Sequence, residues 1–216
     1  MKQFAIVLAG LTLAANAFGQ GAIFFNNRSV GNVVAPIYGV NPAAPGTQLR
    51  GNSSTNVSTG AGNTDYTGVP LLFGTGFTAE LWSETVSGNG IFAPLAGASA
   101  KVGFRTTSTL GGFIQNGAAS ILVPTVPGPA NGSAAFQVRA WDNGGTALVG
   151  TYADALMAGR AVGISTTFTS PVIAAPSTPG QIVGFQSFNL TTVVPEPGVI
   201  ALGVLGLGAL LLRRRK

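Results

Sequence analysis

Two segments of the chain, 77–82 and 136–142, alternate strictly between apolar and polar residues. A period of two is the repeat of a β-strand, so each segment predicts a strand with one face turned toward a core. The inward residues are Phe77, Ala79 and Leu81 in the first segment and Phe136, Val138 and Ala140 in the second. The outward residues are Glu80 and Trp82 in the first and Arg139 and Trp141 in the second. This alternation favours sheets over helices for the body of the chain.

The residue content supports many short strands joined by turns. Glycine accounts for 32 of the 216 residues, while lysine and glutamate, which are common on helix surfaces, are scarce. Four Asn-Gly pairs favour the positive φ of hairpin turns, and they begin at Asn89, Asn116, Asn131 and Asn143. One short amphipathic helix is predicted over 151–158, ended by Gly159. The expected fold is all-β: an antiparallel β-sandwich of jelly-roll type with one short helix.

Weaker runs of apolar and β-branched residues predict the remaining strands. They lie at 22–25, 33–38, 101–107, 112–114, 120–123, 164–168 and 182–190. Pro36 would confine the second of these strands to a sheet edge. Segment 41–68 is instead rich in Gly, Ser, Thr and Asn, with few apolar residues, and it is predicted to be a long loop.

The first residues have the pattern of a secretory leader. Lys2 gives a positive start, 4–15 is apolar, and Ala15-Asn16-Ala17 or Ala17-Phe18-Gly19 offers small residues to a signal peptidase. The apolar stretch is too short to span a bilayer. We therefore expect 1–19 to be a signal peptide and 20–193 to be the exported domain, with 41–68 as its long loop.

The last residues combine three features in a fixed order. Pro195 and Pro197 flank Glu196 and stiffen the backbone, 198–212 carries no charge, and the sequence closes with Arg213, Arg214, Arg215 and Lys216. At about 1.5 Å per residue, 198–212 forms a helix of roughly 22 Å, against a hydrocarbon core of about 30 Å. Snorkelling arginines or local thinning of the bilayer would make up the difference. The basic end predicts a membrane stop on the cytoplasmic side, with the domain outside.

Segment 194–216 resembles the PEP-CTERM sorting signal of Gram-negative bacteria. The resemblance rests on the Pro195-Glu196-Pro197 motif, the glycine-containing apolar helix and the basic end. A plain tail anchor would need the helix and the arginines but not the motif. The resemblance implies processing near Glu196 by an exosortase, a membrane-embedded cysteine transpeptidase. It also implies delivery from the inner membrane to the cell surface or extracellular matrix.

The residue types exclude several kinds of site. The chain has no cysteine and no histidine, which removes disulfides, the common zinc and copper ligand sets, Cys–His nucleophiles and the Ser–His–Asp triad. The exported domain carries six cations and five acids without a cluster, so no basic stripe for nucleic acid exists. The cations are Arg28, Arg50, Lys101, Arg105, Arg139 and Arg160; the acids are Asp65, Glu80, Glu84, Asp142 and Asp154.

The expected role is structural or adhesive, in exopolysaccharide or biofilm, without catalysis and without a cofactor. One alternative is a carbohydrate-binding module in which Trp82 and Trp141 stack on sugars while Glu80 and Arg139 form hydrogen bonds. The competing interpretation covers both indoles and pairs Glu80 with Arg139 across the strands.

Two further possibilities stay open. The first is a glycan hydrolase using Glu80 with Glu84 or Asp142, although Glu80 and Glu84 would be about 13 Å apart on an extended strand. The second is a structural calcium ion at Asp142 or Asp154, although no loop has the acid density of a dedicated site.

Overall fold

The computed structural model describes residues 20–29, 33–54, 62–85, 88–95, 100–115, 121–127, 131–145, 150–174 and 176–192. The expected signal peptide (1–19) and the sorting segment (194–216), with its motif and basic stop, lie outside these ranges, as does the Asn116 turn. Within the described ranges, no helix has both the length and the apolar character needed to span a bilayer.

The described part of the chain is built mainly of strands. The strands are β1 (Gln20–Phe25), β2 (Arg28–Ser29), β3 (Val33–Val34), β4 (Ile37–Tyr38), β5 (Phe77–Glu84), β6 (Phe92–Pro94), β7 (Lys101–Gly103), β8 (Ile121–Pro127), β9 (Asn131–Asp142), β10 (Val162–Ile164), β11 (Phe168–Ile173), β12 (Gly180–Gln181) and β13 (Phe188–Asn189). The α-helix α1 (Tyr152–Met157) follows β9, and Ser108–Leu110 forms a 3₁₀ turn.

Strand β9 is the centre of the main sheet. It pairs antiparallel with β5 along one side, and with β11 and then β10 along the other. The outer side of β5 is shared between β6 and β7, both antiparallel. Strand β1 pairs antiparallel with β8 and parallel with β12, and it joins β11 through the single pair Ala22–Ile173. Two small pairs, β4–β13 and β2–β3, complete the strands.

The core lies between the β5–β9 layer and the β1–β8 layer, in a sandwich-like arrangement. Ala79 and Leu81 of β5 and the inward residues of β9 belong to one buried cluster with Ile23 of β1 and Val123 of β8. Phe77 packs against this cluster and is partly buried. The alternation predicted for 77–82 and 136–142 is therefore confirmed, as is a mainly β fold with a short helix.

The helix forms where the sequence predicted it because both of its ends are capped. The Thr151 side chain accepts a hydrogen bond from the Asp154 N–H while the Asp154 carboxylate accepts from the Thr151 N–H, which is a capping box. At the other end, Gly159 adopts φ +65°, a left-handed conformation that a residue with a side chain rarely enters.

Several sequence predictions need correction. Segment 112–114 is a turn with one isolated bridge, from Ile114 to Phe104, and 33–38 contains the two short strands β3 and β4 instead of one strand. Segment 182–190 is not one strand: it contains only β13, because Gly184 turns the chain at φ +72°. Asn131-Gly132 is not a turn but the paired start of β9, opposite Ile173 and Val172. Segment 164–168 is not one strand: Ile164 ends β10, Phe168 begins β11, and 165–167 connects them. By contrast, Gly90 and Gly144 both take φ +75° after their asparagines, so two of the Asn-Gly pairs do turn the chain.

Candidate functional site

The predicted binding residues come together on the face of the main sheet that lies away from the core. We call them, with two neighbours, the outer-face cluster: Glu80, Trp82, Lys101, Arg139, Trp141 and Tyr152. The strand register brings them together, since Glu80 of β5 lies opposite Lys101 of β7 on one side and Arg139 of β9 on the other. The helix α1 supplies Tyr152.

The Glu80 carboxylate is occupied by partners within the cluster. Its Oε2 accepts a hydrogen bond of 2.8 Å from the Trp82 indole N–H, and its Oε1 lies 3.8 Å from the Lys101 ammonium. Lys101 also donates to the Gly150 carbonyl at 3.0 Å. Glu80 is only 8% exposed. A carboxylate that is buried to this degree and held by one hydrogen bond and one ion pair acts as a structural anchor for the strands.

Arg139 stacks on aromatic rings instead of pairing with Glu80. Its guanidinium carbon lies 3.6 Å from the centroid of the Trp82 ring and 5.3 Å from that of Tyr152. Burial lowers the pKa of Arg139, while Tyr152 and Glu80 act in the opposite direction. Arginine remains charged at neutral pH, so the contact with Trp82 is a cation–π interaction. Glu80 and Arg139 are opposite each other on neighbouring strands, as expected, but the Glu80 carboxylate forms its ion pair with Lys101.

Trp141 lies under the helix. It is 1% exposed and packs with Ala155 and Val162, while Tyr152 meets its ring edge-on at 6.2 Å and 87°. Trp141 is therefore not an open platform for sugar, and that prediction is wrong. The helix covers its indole, as the competing interpretation expected. Trp82 is half-buried, and Arg139 lies against its ring.

Two buried donors of the cluster have no acceptor in the described part of the chain: the Trp141 indole N–H and the Arg139 Nε–H. Trp141 borders a small hollow of about 230 Å³ between β9 and α1, together with Asp142, Thr151 and Arg160. Buried polar groups of this kind are commonly satisfied by water.

The other carboxylates of the hydrolase and calcium hypotheses each have local partners. Glu84 accepts a hydrogen bond from the Gly90 N–H at 2.6 Å. Asp142 accepts from the Gly144 N–H and lies 3.7 Å from Arg160, and Asp154 belongs to the capping box. Because β5 runs unbroken through Glu84, Glu80 and Glu84 stay about 13 Å apart. Among the residues that the structure describes, no group of three or more acidic side chains could hold a metal ion.

A second region, which the sequence predicted only as a loop, encloses open space. A hollow of about 500 Å³ lies beside β4. We call it the tyrosine hollow, and it is lined by Tyr38, Ser53, Ser54, Asn63, Thr64, Asp65, Tyr66 and Thr67. Every one of these side chains carries a hydroxyl, amide or carboxylate group, and none carries a positive charge.

The walls of the tyrosine hollow are fixed by backbone contacts. Segments 50–54 and 62–66 run side by side, with Gly62 N–H donating to Ser53 at 3.2 Å and Thr64 N–H to Asn52 at 3.1 Å. A Cβ atom at Gly62 would collide with the Asn52 carbonyl, so only glycine permits this approach. Asn52 in turn accepts a hydrogen bond from the Ser187 N–H, which ties the wall to the segment leading into β13.

Two tyrosines form the floor. The rings of Tyr38 and Tyr66 are stacked at 3.9 Å with an interplanar angle of 5°, and the Tyr66 hydroxyl donates to the Gly51 carbonyl at 3.0 Å. Burial raises the pKa of both tyrosines, so both hydroxyls are protonated at neutral pH. Hydrogen bonds from the Thr67 side chain and backbone N–H lower the pKa of Asp65, which is fully exposed and ionised. The described lining of the hollow is thus neutral apart from one negative charge, that of Asp65 at its rim.

No local sequence signal indicated this hollow. Its lining residues come from β4 and from two parts of the 41–68 segment, and the stacked tyrosines are far apart in sequence. Comparisons of the chain with protein-family models, curated proteins and solved structures found no match. The functional argument therefore depends on the residues of this chain.

Proposed function

We propose that this chain is an exported surface or extracellular-matrix protein, sorted by an exosortase, with a structural or adhesive role in exopolysaccharide or biofilm. The observation that carries the proposal is the order of Pro195-Glu196-Pro197, the apolar run 198–212 and the closing Arg213, Arg214, Arg215 and Lys216. In full, the architecture is a jelly-roll-like antiparallel sandwich over 20–193, preceded by a signal peptide and followed by one transmembrane helix.

Each segment has a physical task in this proposal. The leader directs the chain across the inner membrane and is removed by signal peptidase. The C-terminal helix then holds the domain outside, with the four cations on the cytoplasmic side. The two prolines keep the residues around Glu196 extended, which presents the backbone to the processing enzyme.

The geometry of the described domain supports a role without catalysis. Each candidate carboxylate, Glu80, Glu84 and Asp142, has a structural partner nearby. The aromatic residues proposed as a sugar-binding face, Trp82 and Trp141, contact Arg139 and the helix instead of solvent on those sides. A carbohydrate-binding module at that face, or a glycan hydrolase, therefore has less support than a structural or adhesive domain.

Intact mass of the protein from cells with and without exosortase activity tests the proposal. We expect loss of the tail beyond the motif only where the exosortase is active. A matched variant, Pro195→Ala with Glu196→Ala and Pro197→Ala, keeps the helix and the basic end, so it separates sorting from membrane anchoring. This variant should retain its full C-terminal mass in both strains. Detection of an unprocessed tail on the unaltered protein in both strains would contradict the proposal.

A further inference from the structure

We infer that the tyrosine hollow is a binding site for a neutral saccharide. The inference rests on the proposed function only for the source of the ligand, which would be the polysaccharide of the surrounding matrix. The chemistry that recognises the ligand is that of the described side chains around the hollow.

The wall carries the groups that recognise sugar hydroxyls. The Ser54 hydroxyl and the Asn63 amide both donate and accept hydrogen bonds, and the Asp65 carboxylate, which already accepts from Thr67, has further lone pairs with which to accept from a ligand. A polyhydroxylated ligand needs this mixture, because each of its hydroxyls both donates and accepts. An apolar ligand would leave these wall groups unpaired, which costs binding free energy.

The charge of the hollow selects against anions. None of the described residues that line it is a Lys or an Arg, and the one charged group among them is the exposed, ionised Asp65. A uronate or phosphate group would be repelled by this carboxylate without a cation to compensate. Calcium would attract Asp65, but a calcium site of ordinary affinity uses several carboxylates. The remaining class is a neutral ligand rich in hydroxyls.

The hollow is large enough for a saccharide and is already formed. Its volume of about 500 Å³ falls within the range of about 300–1,000 Å³ that is usual for small-molecule sites. The hydrogen bonds of Gly62, Thr64 and Tyr66 hold its walls together without a ligand. Because a preformed site loses little conformational entropy on binding, a ligand with little apolar surface can still bind to it with useful affinity.

Tyr38 and Tyr66 support the walls of the hollow more than they offer ring surface to a ligand. They are 9% and 7% exposed, and their rings are stacked on each other. Little ring surface is left for stacking with a sugar. Hydrogen bonds, more than aromatic stacking, therefore determine which ligand the hollow accepts.

Isothermal titration calorimetry on the purified, full-chain protein tests the inference. The probes are neutral oligosaccharides of glucose, galactose and mannose, an oligouronate, and calcium chloride alone. We expect binding of at least one neutral oligosaccharide. Ser54→Phe, which fills the hollow from an exposed position, should abolish it. Asp65→Asn, which keeps the shape but removes the charge, should weaken it by about tenfold.

The matched control for Ser54→Phe is Ser177→Phe, at another exposed serine that does not line the hollow. It should bind like the unaltered protein, and circular dichroism should show the same fold for all three variants. The inference is overturned if no neutral saccharide binds, if Ser54→Phe binds as well as Ser177→Phe, or if the oligouronate or calcium alone is preferred. Sorting is measured separately, by mass. A failure of saccharide binding would therefore leave the sorting proposal standing, and a failure of sorting would leave the saccharide-binding inference standing.

Discussion

The outer-face cluster and the tyrosine hollow both combine aromatic residues with a carboxylate, but they arrange these groups differently. In the outer-face cluster, Trp82 donates to Glu80, Lys101 neutralises that carboxylate, and Arg139 lies against the Trp82 ring. In the tyrosine hollow, polar side chains surround about 500 Å³ of space. In the first region most polar groups have a partner within the cluster, apart from the Arg139 Nε–H and the Trp141 indole N–H. In the second region the exposed side chains of Ser54, Asn63 and Asp65 border open space.

The difference shows why aromatic residues on an alternating strand are a weak indicator of binding. A tryptophan on the outer face of a sheet is still covered when a helix or a long cation packs over it, as α1 and Lys101 do over Trp141. Loops supported by a rigid sheet are the more usual position for ligand sites. The tyrosine hollow fits that rule, since Ser187, next to β13, ties its wall to the domain body.

The largest expected effect is the loss of stability when Trp141 of the outer-face cluster is removed. Trp141→Ala empties a fully buried site between β9 and α1, and we expect a loss of about 3–5 kcal/mol in the free energy of unfolding. Trp82→Ala removes a half-buried ring, its cation–π contact with Arg139 and its hydrogen bond to Glu80, and should cost about 1.5–3 kcal/mol. Urea unfolding followed by fluorescence or circular dichroism measures both values. Equal losses would contradict the placement of Trp141 under the helix.

A smaller loss is expected when the central carboxylate of the outer-face cluster is removed. Glu80→Ala leaves the Trp82 N–H without its acceptor and the Lys101 ammonium without its ion-pair partner, which costs about 1–3 kcal/mol. Glu80→Gln keeps an acceptor for the indole and should cost less.

The matched control for Glu80→Ala is Glu84→Ala on the same strand, where the lost contact is an exposed hydrogen bond and the expected change is within about 0.5 kcal/mol. Urea unfolding again gives the values. A Glu80→Ala loss no greater than that of Glu84→Ala would show that the cluster is not an internal anchor.

The strands and the helix were predictable wherever the signal is local. The period of two fixed β5 and β9, and Thr151 with Asp154 fixed the start of α1. The end of the domain was not predictable in the same way, because 182–190 has strand-like residues but Gly184 turns the chain. Whether β13 pairs depends on β4, which is about 150 residues earlier in sequence.

The same limit applies to the two candidate regions. The alternation of side chains along β5 and β9 correctly placed Glu80, Trp82, Arg139 and Trp141 on one face of the sheet. It did not reveal that Lys101 and Tyr152 would cover part of that face, because both belong to other segments of the chain. The tyrosine hollow depends on contacts between β4 and the 41–68 loop, for which composition predicts a loop but no shape.

The smallest expected effect on stability concerns the two tyrosines that form the floor of the tyrosine hollow, at neutral and at alkaline pH. Tyr66→Phe keeps the stack on Tyr38 but removes the hydrogen bond to Gly51, so we expect a loss of about 1 kcal/mol at pH 7. The folded protein has tyrosine pKa values above the ordinary 10.0. The tyrosine contribution to stability is therefore complete below pH 10 and declines as the pH rises above it, because the unfolded chain loses these protons first.

In the double variant Tyr38→Phe with Tyr66→Phe, unfolding measured from pH 8 to 11 should show a shallower alkaline decline than in the unaltered protein. Tyr152→Phe is the matched control in the outer-face cluster, since burial raises the pKa of Tyr152 while Arg139 lowers it. It should change the decline less than the double variant does. An alkaline decline that stays the same in the double variant would mean that the tyrosines under the hollow are open to solvent, and the rigid floor on which the saccharide site depends would be lost with it.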